Sequence, residues 1–285
     1  MSLLPRFAGL ATRLIIGAAS FWPVRRAARA VFTALTPGRD VKVRFPGYDI
    51  YVRTPDRIIA ALLCKYSLAA SPEAAIYRDR VKPGMTVVEI GANVGFYTLL
   101  FSHLTGERGK VLAFEPDREN FRLLEKNAAG GLNNIDCRHA AVADRSGSLR
   151  LFISAENRGD HRVYDSGDDR ERVEVQAVSV DDVLGPGGKA DFIKMDIQGA
   201  EFPALLGMER TILGSPGLSM LCEFTPGLMR KCGHSPEAFL AKLRALGFRL
   251  SYLDNSAGGP RTASEAELLA MCPGEKYVNL LLERS

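Results

Sequence analysis

Residues 85–101 read MTVVEIGANVGFYTLLF, and the pattern of this stretch decides the fold. Thr86, Val87, Val88 and Ile90 are strand formers without apolar–polar alternation, as expected of a parallel strand buried on both faces. An acid, Glu89, sits near the end of the run. Gly91, Asn93 and Gly95 follow, and then a second apolar run that reads as the start of a helix. Glycines four apart suit a tight strand-to-helix turn whose backbone approaches a ligand closely. The stretch therefore implies a nucleotide-type site at the carboxyl end of a buried strand.

The acids narrow the ligand class. A dinucleotide fold carries G-x-G-x-x-G, so that a helix N-terminus receives the pyrophosphate. Here the pattern is E-x-G-x-x-x-G, and Glu89 would repel a phosphate but suit an ammonium or sulfonium group. A second strand, VLAFEP at 111–116, ends in Glu115, placed to accept both hydroxyls of a ribose. An acid on each strand with a glycine turn between them fits S-adenosylmethionine better than NAD. The same features disfavour an NAD-linked oxidoreductase.

VVEIGANVGFYTLL, AFEP and, further on, IKMDIQGAE together resemble the FkbM-type methyltransferases, a branch of the Rossmann-like S-adenosylmethionine-dependent enzymes. The resemblance spans roughly Asp56 to Leu282, and IKMDIQGAE is its specific part. Glu89 stands where many relatives have Asp, and Gln198 where many have Glu. The resemblance implies an α/β fold with a seven-stranded, mostly parallel sheet and helices on both faces. It implies O-methylation of a hydroxyl on a sugar or glycan, a lipid-linked molecule or a secondary metabolite. It also places the adenine beside the loop after the third strand (135–142), where Ala141 and Val142 would line it.

Composition is that of a soluble α/β chain: 285 residues, 46% apolar and 25% charged. The net charge of +4 is uneven, because residues 1–40 hold six arginines and one acid. That segment carries +5 and the remainder about −1, so the body is no nucleic-acid clamp. Five scattered cysteines without C-x-x-C spacing read as reduced thiols of a cytoplasmic protein.

Three regions are expected: a basic amphipathic extension over 1–40, a β-hairpin and helical cap over 41–80, and a methyltransferase domain over 81–285. Leu14 to Val24 is an uncharged run of eleven residues, too short to span a bilayer. With its flanking arginines, residues 1–38 read as a peripheral contact with the anionic inner face of a membrane, or as a helix packed on a protein surface. In the cap, Asp56 is a plausible helix N-cap, and Tyr66 and Tyr77 are either a cover for the cofactor or buried helical aromatics.

Downstream, strands at 149–153 and 172–178 flank a segment dense in both charges. It reads as a substrate-facing lid or as disorder, with His161 and Tyr164 as its polar contacts and most charges solvated. The fourth strand, DFIKMDI, carries Lys194 and Asp196 on one face of the sheet, which is costly in a buried strand unless they are paired or functional. Glu201, at the next helix, would stabilise the helix N-terminus, pair with Lys194, or meet substrate. The fifth strand (218–224) ends in Glu223, about 4.8 Å across the sheet from the fourth. Asp196 and Glu223 then act as general base, hold a divalent metal, or are bridged structurally by Lys194. The residues 254–260 read as a loop. A membrane-associated binding protein on the same fold, its catalysis decayed, is the alternative from outside enzymology.

Overall fold

The computed structural model describes residues 38, 40–45, 47–53, 72–154, 157–254 and 259–284. Residues 1–37 of the basic extension and residues 55–71 of the expected helical cap, with Asp56 and Tyr66, lie outside the described residues. The chain divides into two compact units, Met1–Ser71 and Pro72–Ser285. In the first, β1 (Asp40–Arg44) and β2 (Asp49–Arg53) form the expected antiparallel hairpin, with Val43, Ile50 and Val52 buried.

The Pro72–Arg80 helix falls in the second unit. Its Tyr77 explains why. The ring is fully buried against Tyr97, Phe101 and Phe192, with centroids 4.9–5.8 Å apart in edge-on geometry. Tyr77 is thus a core aromatic.

The second unit is built on β3 (Thr86–Ile90), β4 (Lys110–Phe114), β5 (Ile135–Arg138), β9 (Phe192–Met195), β10 (Ser219–Phe224), β11 (Phe248–Asp254), β12 (Gly259–Arg261) and β13 (Val278–Arg284). They form one sheet in the order β12-β11-β13-β10-β9-β3-β4-β5. The run from β5 to β10 is parallel, and β13, β11 and β12 close it antiparallel. Among the described residues the sheet has eight strands, not seven. The extra one is β12, part of the expected loop, whose Pro260 is tolerated at the edge because no outer partner needs its N–H.

β3, β4 and β9 are buried almost throughout, which accounts for their unbroken apolar runs. The Phe96–Thr105 helix packs on β3 and β4, and the Arg118–Ala128 helix on β5. Asp117 caps the latter, accepting from the Asn120 amide at 2.9 Å, and Ser235 caps the Pro236–Ala245 helix in the same way.

β7 (Gly147–Ile153) and β8 (Glu171–Val178) form a hairpin in a separate sheet, where β8 also pairs with β6 (Ala141–Val142). The charged segment between them is held by ion pairs where solvated charges were expected. Arg162 and Arg170, with side chains only 9% and 7% exposed, both bond to Asp160. Burying two guanidiniums without a shared carboxylate would be costly, which explains this arrangement.

Candidate active site

The order of strands reverses between β3 and β9, where chains leave the sheet in opposite directions. Open α/β sheets bind ligands in the crevice at such a point. Three residues of the β3 exit have left-handed backbones: Gly91 (φ 83°), Asn93 (φ 54°) and Gly95 (φ 91°). Gly91 is needed for a reason other than ligand approach. A Cβ there would lie 2.1 Å from the Asp196 carbonyl oxygen, so the two strand ends meet only if residue 91 has no side chain.

Glu115 closes the other side. Its carboxylate accepts from the backbone N–H of Asn93 (2.8 Å) and Asp117 (3.0 Å) and from the Asn120 side chain (3.3 Å). Burial raises its pKa, and the N–H groups of Asp117 and Asn93 partly offset that. A carboxylate offers about four acceptor positions, and three are taken. The expected grip on both ribose hydroxyls is thereby narrowed to one, at Oε2, unless the Asn120 amide yields.

Glu89 is fully buried. One oxygen accepts the Thr98 hydroxyl at 2.6 Å, and Oε1 has no partner. Burial pushes its pKa up to about 7, opposed by the Lys194 charge and the Thr98 hydroxyl. An orphaned buried acceptor at the base of the turn and a single free position on Glu115 fit a ligand with a cationic end and a ribose. Ala141 and Val142 are buried in β6, and Val142 packs into the main core.

Beside this corner, β9 and β10 deliver the polar residues of a second feature, a cleft of about 190 Å³. Lys194, Asp196 and Glu223 lie in it, with Glu73, Tyr97 and Asn279. Lys194 Nζ donates to the Gly91 carbonyl at 2.9 Å and sits 3.8 Å from Asp196 Oδ2. Its partner is therefore not Glu201. The Glu201 side chain is fully buried and its Oε1 accepts the backbone N–H of Ile197 and Gly199, so it fixes the turn. Asp196 is the open member of the pair, its side chain 39% exposed. Glu223 accepts from Thr225 and Gln198, and burial together with the charges of Asp196 and Glu201 pushes its pKa up to about 8.

The cleft also contains residues that sequence reasoning missed. Glu73 accepts from the Tyr97 hydroxyl at 3.0 Å and from the Asn279 amide at 2.6 Å. Nothing local marks Glu73 or Asn279, which are 206 positions apart. Tyr97 alone had a signal, an aromatic in the first turn after the glycines.

The lid residues do not reach this cleft. His161 accepts from the Ser154 N–H through Nδ1 and turns Nε2 toward Asp117, 3.8 Å away, on the Glu115 side. Tyr164 lies under the Arg162 guanidinium with its hydroxyl buried.

Glu201 yields a prediction on stability. Burial raises its folded pKa to about 7, so the folded chain holds this proton more tightly than the unfolded one. The resulting stability is full below the ordinary carboxyl range and is lost as pH rises toward 7, on the order of 3 kcal/mol. Glu201→Gln keeps the Oε1 acceptor and removes the titration. Calorimetric melting near pH 5 and near pH 7 should show a smaller pH dependence in the variant; equal dependence would refute this assignment.

A Rossmann-like sheet with an acid near the end of each of its first two parallel strands fits the class of S-adenosylmethionine-dependent methyltransferases. Residues 89–250, more than half of the chain, match the methyltransferase FkbM domain. The chain belongs to the FkbM methyltransferase family. Similar solved structures include a SAM-dependent O-methyltransferase from Thermotoga maritima, at 12% identity over 90% of this chain and 96% of that one (TM-score 0.45). A SAM-dependent methyltransferase from Aquifex aeolicus shares 18% identity over 78% and 95% (TM-score 0.41). P. horikoshii TYW2 in complex with MeSAdo shares 16% over 87% and 72% (TM-score 0.46). Among the described residues, no helix is long and apolar enough to cross a membrane, and no group of three or more His, Cys, Asp or Glu could hold a metal ion.

Proposed function

We propose that this chain O-methylates a hydroxyl of a sugar, glycan, lipid-linked or secondary-metabolite acceptor, with Asp196 as general base. The observation that carries this is an accessible carboxylate at the carboxyl edge of β9, beside a lysine and a second carboxylate on the floor of one cleft. Bound adenosylmethionine would supply an electrophilic methyl group on its sulfonium. The turn 91–95, Glu89 and Glu115 would hold it.

A hydroxyl is a weak nucleophile near neutral pH, so it needs a base as it reacts. Asp196 would take the proton that the acceptor hydroxyl gives up as its oxygen displaces the thioether from the methyl carbon. Lys194 faces the carboxylate and fixes it through its bond to the Gly91 carbonyl. Glu223 holds its own proton up to about pH 8, which spares Asp196 a second charge alongside. The cleft carries three acids against one lysine, which favours a neutral acceptor over an anionic one such as nucleic acid.

Incubation with methyl-labelled adenosylmethionine and a panel of neutral polyhydroxy acceptors tests the proposal. Label in a base-stable methyl ether is expected. A protein that binds adenosylmethionine but labels no hydroxyl acceptor favours the decayed binding protein.

Residues 1–38 supply the membrane contact in this proposal. Their deletion should leave adenosylmethionine affinity unchanged and abolish co-sedimentation with anionic vesicles, since it removes five arginines and the apolar run between them. Full-length protein that ignores such vesicles at low salt contradicts the anchor.

A further inference from the structure

Gln198 lies two residues beyond Asp196 with a left-handed backbone, φ 55°, which residues bearing a side chain rarely adopt. That turn aims its carboxamide back over the strand ends. Nε2 stands 2.9 Å from Asp196 Oδ1 and 3.3 Å from Glu223 Oε1. A carboxamide nitrogen carries two hydrogens, and here each has one carboxylate to meet. Thr225 Oγ1 donates to the same Glu223 oxygen at 3.2 Å, and the Lys194 ammonium flanks the far oxygen of Asp196. The two carboxylates are joined by protein donors.

One or two carboxylates with water suffice for a magnesium-like cation, so what fills the gap between them decides how the pair works. We propose that Gln198 is a positioning residue whose amide takes the place of a divalent cation between Asp196 and Glu223, setting their spacing and making the site metal-independent. This rests on the reading of the pair as the group that activates the acceptor. A neutral amide bonds to both side chains without adding a charge, so Asp196 keeps its capacity to take a proton. A bound dication would compete for the same lone pairs.

The test uses Mn²⁺ followed by electron paramagnetic resonance on full-length wild type and Gln198→Glu. The substitution turns the two donors into a third carboxylate facing the pair, and ligand charge sets affinity for hard cations. Gln198→Glu should bind Mn²⁺ roughly tenfold or more tightly than wild type. Adding Asp196→Asn should abolish that site.

Wild type binding Mn²⁺ as tightly as Gln198→Glu, with loss on Asp196→Asn, would overturn the proposal, because a cation would then displace the amide. So would a folded Gln198→Glu with no gain. Should that variant fail to fold, Gln198→Gly decides: its backbone suits a left-handed φ, and opening the gap should give a smaller gain, while no gain overturns the proposal. Calorimetric titration of the same wild-type sample with adenosylmethionine keeps the two questions apart. Failure there refutes the methyltransferase reading and leaves the manganese result to stand or fall alone.

Discussion

Asp196→Asn is expected to lower kcat by roughly 10²–10⁴-fold, the usual range for a lost general base. The side chain is the accessible carboxylate of the cleft, and Asn keeps its shape and one acceptor oxygen. The Gln198 and Lys194 contacts then lose charge complementarity without leaving a cavity. Adenosylmethionine affinity should change little, because the proposed cofactor corner is the 91–95 turn with Glu115. If Asp196 instead steadied the cofactor's cationic end, the loss would appear in cofactor affinity, with turnover at saturation largely kept. Full wild-type activity in EDTA would rule out an exchangeable divalent ion. Wild-type rate and affinity in the Asp196→Asn enzyme would leave Asp196 as a structural partner of Lys194.

Glu115→Ala should weaken adenosylmethionine by roughly 1.5–3 kcal/mol, about ten- to a hundredfold in Kd. Two effects add. One ribose hydroxyl loses a charged acceptor, and the Asn93 and Asp117 amides lose the group that holds the turn in place. Calorimetric titration measures the change, and circular dichroism checks that the variant is folded. Unchanged affinity in a folded variant would place the ribose elsewhere.

The parts of this molecule that were legible in its sequence are those set by local chemistry. β3 announced itself through Val87, Val88 and Ile90, strand formers without alternation. Asp196 and Glu223 were legible because charge at the end of a buried strand needs a reason. What the sequence did not reveal depends on distant partners. Glu73 meets Asn279 only through the closing strand, and Lys194 chose the Gly91 carbonyl over Glu201 because Glu201 is consumed by its own turn. Glu115 could be read as an acceptor, but not that three donors already fill most of it. The pairing of Arg162 and Arg170 on Asp160 likewise follows from how the β7–β8 hairpin folds back, which no spacing encodes.

The corner between Glu89 and Glu115 is expected to take adenosylmethionine and not a dinucleotide. Calorimetric titration of pure full-length protein with adenosylmethionine and, separately, with NADH tests it most directly. Saturable binding of adenosylmethionine and none of NADH is the predicted result; binding of NADH, or no binding of adenosylmethionine by folded protein, would contradict it.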